Sequence, residues 1–211
     1  ITKRGDGKLK GFLSAEGGSF ATARENAGIN GGNDLLQYSL NVSRLDTGGV
    51  SAAGERYGNQ ERDGYQNTAV AGRLGITPTT NSEIDLTLRY DRSRTSVDNG
   101  GGAGKDDPNH IMKSDELFFR TQGWLSLFNG LWEQKLGVSF TDISWRDDND
   151  RDSAHPNDML RSSFHGQSVK LDWQHTLKLH KTTTLTIGAE TTEENGKSDY
   201  YSESMFGPYT S

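Results

Sequence analysis

The sequence predicts an all-β chain, an antiparallel up-and-down transmembrane β-barrel fragment of about nine strands, with long outer loops and short periplasmic turns. Three observations carry this. Apolar and polar residues alternate with period two over stretches longer than the usual soluble strand of about 5–6 residues. From Gly31 onward the connections between those stretches run short, long, short, long. Aromatic residues sit at strand ends, where an interfacial girdle belongs.

The longest alternation lies between Leu117 and Trp145. Leu117, Phe119, Thr121, Gly123, Leu125 and Leu127 share one face; Arg120, Gln122 and Ser126 take the other. Asn129-Gly130 predicts a type I′ turn, which needs positive φ at both central residues. On the return arm Trp132, Leu136, Val138 and Phe140 oppose Glu133, Lys135, Ser139 and Thr141. Phe128 and Trp132 flank the turn, and Trp145 closes the hairpin at its far end. A tilted strand crossing a bilayer needs about 9–11 residues, and each arm supplies that.

The other elements follow in order. Lys8–Gly17 alternates loosely, Gly17-Gly18-Ser19 predicts a turn, and Phe20–Ile29 the return strand. After the turn at Gly31-Gly32-Asn33-Asp34, Leu36, Tyr38, Leu40 and Val42 alternate with polar residues. Asp46–Gln66 reads as a long loop. Val70, Leu74 and Ile76 mark the next strand, and Ile84, Leu86, Leu88 and Tyr90 the one after the short turn containing Pro78. Ser96–Lys113 and Arg146–Arg161 read as two more long loops. Val169, Leu171, Trp173 and Leu177 define a strand, and Leu185, Ile187 and Ala189 another. The tail from Glu193 reads as a fourth loop.

Composition narrows the class. The 211 residues carry no cysteine, 26 glycines, 4 prolines, a formal charge of −6 and 31% hydrophobic residues. Mean hydropathy is −0.79, low for one dense globular core. No run reaches the roughly 18 apolar residues of a membrane-crossing helix. A β-barrel needs no such run, because its strands alternate and its lumen is polar. Without cysteine, disulfides and thiolate metal sites fall away. No basic stripe suggests nucleic acid, and no secretory leader is visible at Ile1.

These features resemble a TonB-dependent outer-membrane receptor of the cobalamin-receptor-like branch. The resemblance begins at Ile1-Thr2-Lys3-Arg4-Gly5, similar to the end of the plug domain, and passes through Gly17-Gly18-Ser19-Phe20, Tyr38-Ser39-Leu40 and Arg44-Leu45-Asp46-Thr47-Gly48-Gly49. It continues through Glu61-Arg62-Asp63-Gly64-Tyr65-Gln66-Asn67, Asp106-Asp107-Pro108-Asn109 and Gly188-Ala189-Glu190. It implies that 1–5 end a plug or linker and that 6–211 form the N-terminal portion of the barrel domain. It implies outer-membrane lipid as surroundings, import of a scarce large nutrient, and coupling to TonB through a plug and TonB box absent from this sequence. Family barrels have about 22 strands, so this chain would be one piece of such a wall. A siderophore or haem receptor of the same family is one alternative. A soluble all-β ligand- or carbohydrate-binding domain is another; there the Ile84/Leu86/Leu88 face would pack on a second sheet.

No catalytic constellation stands out, so the chain is not expected to be an enzyme. His110, His155, His165, His175 and His180 are dispersed, and Ser163 and His165 are neighbours in sequence only. The best metal candidate is the ladder Asp147, Asp148, Asp150 and Asp152, whose oxygens at alternate positions suit Ca²⁺. Ser153 and Met159 stand where an EF-hand requires glycine and glutamate. Asp106 and Asp107 form a second acidic pair. Tyr57, Tyr65, Tyr200 and Tyr201, with Phe206 and Tyr209, are candidates to line a ligand vestibule. Gly100–Gly104 follows no parallel strand and opens no helix, so it is not a phosphate loop.

Overall fold

The computed structural model describes residues 4–59 and 61–211. Ten strands follow one another: β1 (Lys10–Gly18), β2 (Thr22–Gly32), β3 (Leu36–Thr47), β4 (Tyr65–Thr79), β5 (Ser82–Ser96), β6 (Ile111–Leu127), β7 (Trp132–Asn149), β8 (Met159–His180), β9 (Thr183–Ser204) and β10 (Gly207–Thr210). They form one sheet in sequence order, each pair antiparallel. Helical structure among the described residues is a single 3-10 turn, Glu55–Tyr57. Of the plug-to-barrel segment expected at 1–5, residues 1–3 lie outside the described residues. Arg4 reaches Asp85 at 2.8 Å and also pairs with Glu83, while the Gly7 carbonyl accepts the Gly32 N–H at 2.8 Å.

The register turns separate alternations into one continuous face. Leu40 pairs with Gly72, Gly72 with Leu88, Leu88 with Phe119, Phe119 with Phe140, and Phe140 with Val169. Every apolar set read from the sequence therefore falls on the same side. This face is uncovered: Ile84 is 42% and Leu88 39% exposed. The second sheet that a soluble sandwich needs is absent among the described residues.

The opposite face is polar and internally paired. Arg73 donates to Asp85 at 2.9 Å. Arg120 on β6 reaches over β7 to Asp172 on β8, with Nη1 and Nη2 2.7 and 2.9 Å from the two carboxylate oxygens. Gly137 lies beneath that crossing, and a Cβ there would collide with both the guanidinium and the carboxylate.

An aromatic cluster marks the short-turn end of the apolar face. Phe128 stacks on Trp132 at 6.2 Å and Trp132 on His175 at 5.6 Å. The Trp132 indole N–H donates to His175 Nδ1 at 2.9 Å. An amphipathic ring with a satisfied N–H suits a membrane–water boundary. Trp145 differs from expectation. It lies within β7, and its register partners Ser114 and Phe164 put it on the polar face.

Several boundaries also differ from the sequence reading. The β6–β7 turn is centred one residue early: Phe128 and Asn129 have φ of 52° and 55°, Gly130 has 83°, and the Gly130 N–H reaches the Leu127 carbonyl at 3.1 Å. Likewise β1 continues through Gly18, and Phe20 and Ala21 take φ of 59° and 53°. The β2–β3 turn begins at Asn33, whose Oδ1 accepts the Leu35 and Leu36 N–H groups at 3.0 and 2.8 Å. The loop expected from Glu193 instead extends β9 to Ser204 and then forms β10, so nine strands become ten. β8 and β9 run 22 residues each, and β9 meets β10 through the two-residue turn 205–206. The outer end thus bears long connections at 48–64, 97–110 and 150–158 and short ones at 19–21 and 205–206.

Two tests follow from the faces. In the full-length protein unfolded from lipid vesicles by urea, Leu88→Arg is expected to cost about 2–4 kcal/mol, and Thr141→Arg on the polar face less than about 1 kcal/mol. Gly137→Ala is expected to cost about 1–3 kcal/mol by displacing the Arg120–Asp172 pair. Gly123→Ala, where a Cβ meets nothing within 4 Å, is the near-neutral control.

Candidate functional site

Burial is concentrated beyond the apolar belt. Among the described residues, the buried positions other than glycine are Ser51, Ala53, Asn59, Asp107, His110 and Asn149. All lie in or beside the 48–64, 97–110 and 150–158 loops. Backbone and short polar side chains tie these loops into one unit. The Ala53 N–H donates to Asp98 at 2.6 Å, and Asn59 Nδ2 donates to the Gly102 carbonyl at 2.8 Å. Asn149 Nδ2 donates to Asp107 at 2.8 Å, and Asn109 Nδ2 to the Asp150 carbonyl at 2.7 Å.

Two groupings of metal-type donors lie in this unit. In the first, ligand atoms of Glu61, Asp98 and Asp106 fall within 4.8 Å of one another. Asp63 stands beside them and accepts the Ala52 N–H at 2.5 Å. Burial first, and then repulsion from Asp63, Asp98, Asp106 and Asp107, pushes the Glu61 carboxyl up to about 7. Burial is likewise the largest cause raising Asp63. Glu61 Oε2 and Asp63 Oδ1 are buried without a hydrogen-bond partner. An oxygen-only set of this kind suits a hard cation such as Ca²⁺.

The second grouping is Asp107, Asp152 and His155. Asp107 is wholly buried, with Oδ1 unpartnered. Burial opposes a charge on His155, but the Gly104 carbonyl and the Asp152 and Asp107 carboxylates outweigh it and raise its pKa.

The aspartate ladder is dispersed. β7 runs on to Asn149, so Asp147 and Asp148 point to opposite faces of a strand. Asp147 meets His110 Nε2 at 2.7 Å, Asp148 lies 4.0 Å from Lys113, and Asp150 pairs with Arg161 at 2.9 Å. Asp152 Oδ1 accepts the Ala154 and His155 N–H groups at 2.7 and 2.6 Å. Of the four, Asp152 alone enters a donor grouping among the described residues. The sequence reading missed Glu61, Asp63 and Asp98, and it singled out Asp106 and Asp107 only as a pair. The signal available was their setting beside glycines in two different loops.

The tyrosines do not share one surface. Tyr57 ends the 3-10 turn, with Arg56 4.7 Å above its ring. Tyr65 and Tyr200 lie on the polar face by register, and Tyr201 on the other. Tyr200 packs edge-on against Tyr209 at 5.9 Å, and the Tyr201 hydroxyl donates to Glu203 at 3.1 Å. Ser163 and His165 both lie on β8, and His165 Nε2 is 3.2 Å from Asp142.

A sheet wall with its long connections at one end is the arrangement found in solved outer-membrane receptors. The ferripyoverdine receptor of the outer membrane of Pseudomonas aeruginosa, bound to ferripyoverdine, superposes with a TM-score of 0.73 at 11% identity, covering 94% of this chain and 29% of that one. The likeness is one of fold. The ferric yersiniabactin uptake receptor FyuA of Yersinia pestis gives 0.54 at 9% identity, covering 99% of this chain and 42% of the receptor. The siderophore receptor PirA of Acinetobacter baumannii gives 0.52 at 11%, covering 96% and 41%. The chain therefore spans between 29% and 42% of these receptors' length. No protein-family model and no curated protein matches the sequence.

Glu61 gives the loop unit a defined pH response. Its carboxyl keeps a proton to higher pH when folded, so in chelator-treated buffer loop stability is greatest below 4.5 and declines as pH rises through about 7. Amide exchange across 51–54 and 98–107 is expected to quicken over that interval. In Glu61→Gln the decline across that interval is expected to shrink, leaving the part contributed by Asp63 and His155.

Proposed function

We propose that this chain is part of the barrel wall of a TonB-dependent outer-membrane receptor that binds and imports a scarce large nutrient. The observation that carries the reading is the single apolar face, set between an aromatic cluster at the short-turn end and polar loops at the other. That is the surface a bilayer demands of a β-wall. The polar face is the lumen, where a plug would dock and through which TonB would act. The interlocked 48–64, 97–110 and 150–158 loops take part in capture, with Tyr57, Tyr65 and Tyr200 as contact candidates.

The sequence resemblance supports a cobalamin-like nutrient. The three solved receptors, whose names specify ferripyoverdine, ferric yersiniabactin and a siderophore, support a ferric siderophore. Haem is the third possibility. Ca²⁺ belongs to the same proposal, as the ion that orders the capture loops. Its fitting donors are Glu61, Asp98 and Asp106, because Asp147, Asp148 and Asp150 are engaged by His110, Lys113 and Arg161.

The test is a titration of the full-length protein in lipid vesicles with cyanocobalamin, ferric siderophores and haem. Saturable binding of one class is expected, with loss when the 97–110 loop is excised. If no class binds and the chain forms a monomeric, cooperatively melting β-protein without detergent, the proposal fails. Ca²⁺ is expected to slow proteolysis within 48–64, and Glu61→Gln to abolish that protection. Unchanged cleavage would remove calcium from the proposal.

A further inference from the structure

The apolar face ends, toward the loops, in a row that the nutrient reading does not use. Val42, Val70, Tyr90 and Leu117 are successive cross-strand neighbours and form its last apolar row. Two residues further along each strand come Arg44, Thr68, Arg92 and Asp115. Two further still come Gln66, Arg94, Lys113 and Arg146. Arg94 lies directly opposite Lys113, and Lys113 directly opposite Arg146. Like charges facing each other across a ladder are destabilising, yet three stand in line within a chain whose net charge is −6.

The acids nearby do not cancel them. Asp46 is taken by Arg44 at 2.7 and 2.6 Å. Asp115 accepts the Tyr90 hydroxyl at 2.8 Å and lies 3.6 Å from Arg92. Asp148 reaches Lys113 only at 4.0 Å. Arg94 and Arg146 are exposed, and neither side chain takes part in an ion pair or hydrogen bond among the described residues. A shallow depression beside the row is lined by Arg44, Arg92, Arg94 and Lys113, with Thr68 and Tyr90, and no carboxylate lines it.

Height above the belt identifies the occupant. Two and four residues along a strand tilted near 40° rise about 5 and 10 Å. The headgroup layer spans about 5–8 Å on each side of the hydrocarbon core. Arg44 and Arg92 therefore stand at headgroup depth, and Arg94, Lys113 and Arg146 just above it, on the side of the long loops and over the Tyr90–Leu117 row. We propose that Arg94, Lys113 and Arg146, with Arg44 and Arg92, bind a phosphate carried on an outer-leaflet lipid, whose acyl chains lie on the apolar face below. The proposal rests on the outer-membrane reading above. Arginine forks suit phosphate oxygens bidentately, and a doubly charged phosphate relieves the repulsion along the row. A free anion would meet the row equally well but would leave the adjoining apolar surface unused.

The experiment is native mass spectrometry of the full-length protein in neutral detergent. The probes are a bisphosphorylated glycolipid, the same glycolipid with its phosphates removed, and inorganic phosphate. Wild type is expected to bind the phosphorylated lipid roughly tenfold or more tightly than the dephosphorylated one, with the difference shrinking as salt rises. The triple variant Arg94→Gln, Lys113→Gln, Arg146→Gln is expected to lose that preference. Lys135→Gln, on the lumen face, is expected to keep it. Equal binding of the two lipids, an unaffected triple variant, or displacement of the lipid by equimolar inorganic phosphate would overturn the proposal. Insertion into vesicles, read by protease protection, separates the two levels. An inserted protein without phosphate preference sinks this inference alone. A protein that does not insert sinks the receptor reading with it.

Discussion

A strand meets its backbone hydrogen-bonding needs by pairing with its neighbours. The continuous ladder from β1 to β10 answers that constraint, and much else follows from it. A shared register means that one residue's orientation fixes that of its neighbour on the next strand. The apolar face is therefore a property of the whole sheet, although each strand contributes only a few side chains to it. A slip of one residue on any strand would turn its apolar set onto the polar face. The shifts that do occur fall at the short-turn ends, between Ile76 and Thr79 and between Lys178 and His180, where pairing no longer has to hold the apolar face together.

Charge is handled differently in the two polar regions. On the polar face acids and bases are matched across strands, as in Arg73–Asp85, Arg120–Asp172 and Lys170–Glu190. In the loop unit the acids crowd together, and the groups acting on Glu61 are carboxylates. The first arrangement is self-contained and braces the wall. The second is incomplete without a proton or a cation, which makes the loops responsive to their surroundings while the wall is not.

The legibility of the sequence follows the same division. Ile84–Tyr90 and Leu117–Phe140 were readable because a sheet with one apolar and one polar face imposes period two. Glu193–Ser204 was not, although it is as much a strand as Leu185–Ala189. Beyond the apolar band β9 carries polar residues on both faces, so the alternation that signals a strand disappears. The stretch Arg146–Asn149 was lost for the same reason, which is why Asp147 and Asp148 read as loop residues although they lie on β7. The turn residues Phe20, Ala21 and Phe128 take left-handed φ values without a glycine or asparagine to announce them. The loop unit was illegible for another reason. Glu61, Asp98 and Asp106 come from two loops, and nothing local in the sequence says that those loops touch.

β8 and β9 rise well past the belt. Twenty-two residues tilted near 40° rise about 55 Å, against an apolar band about 25 Å tall. At the summit are Met205 and Phe206, 76% and 93% exposed. The 150–158 loop shares that height, because Met159 lies opposite Glu203 and Arg151 pairs with Glu203. The apolar tip at 205–206 therefore stands beside the interlocked loops, and anything approaching from that end meets both together.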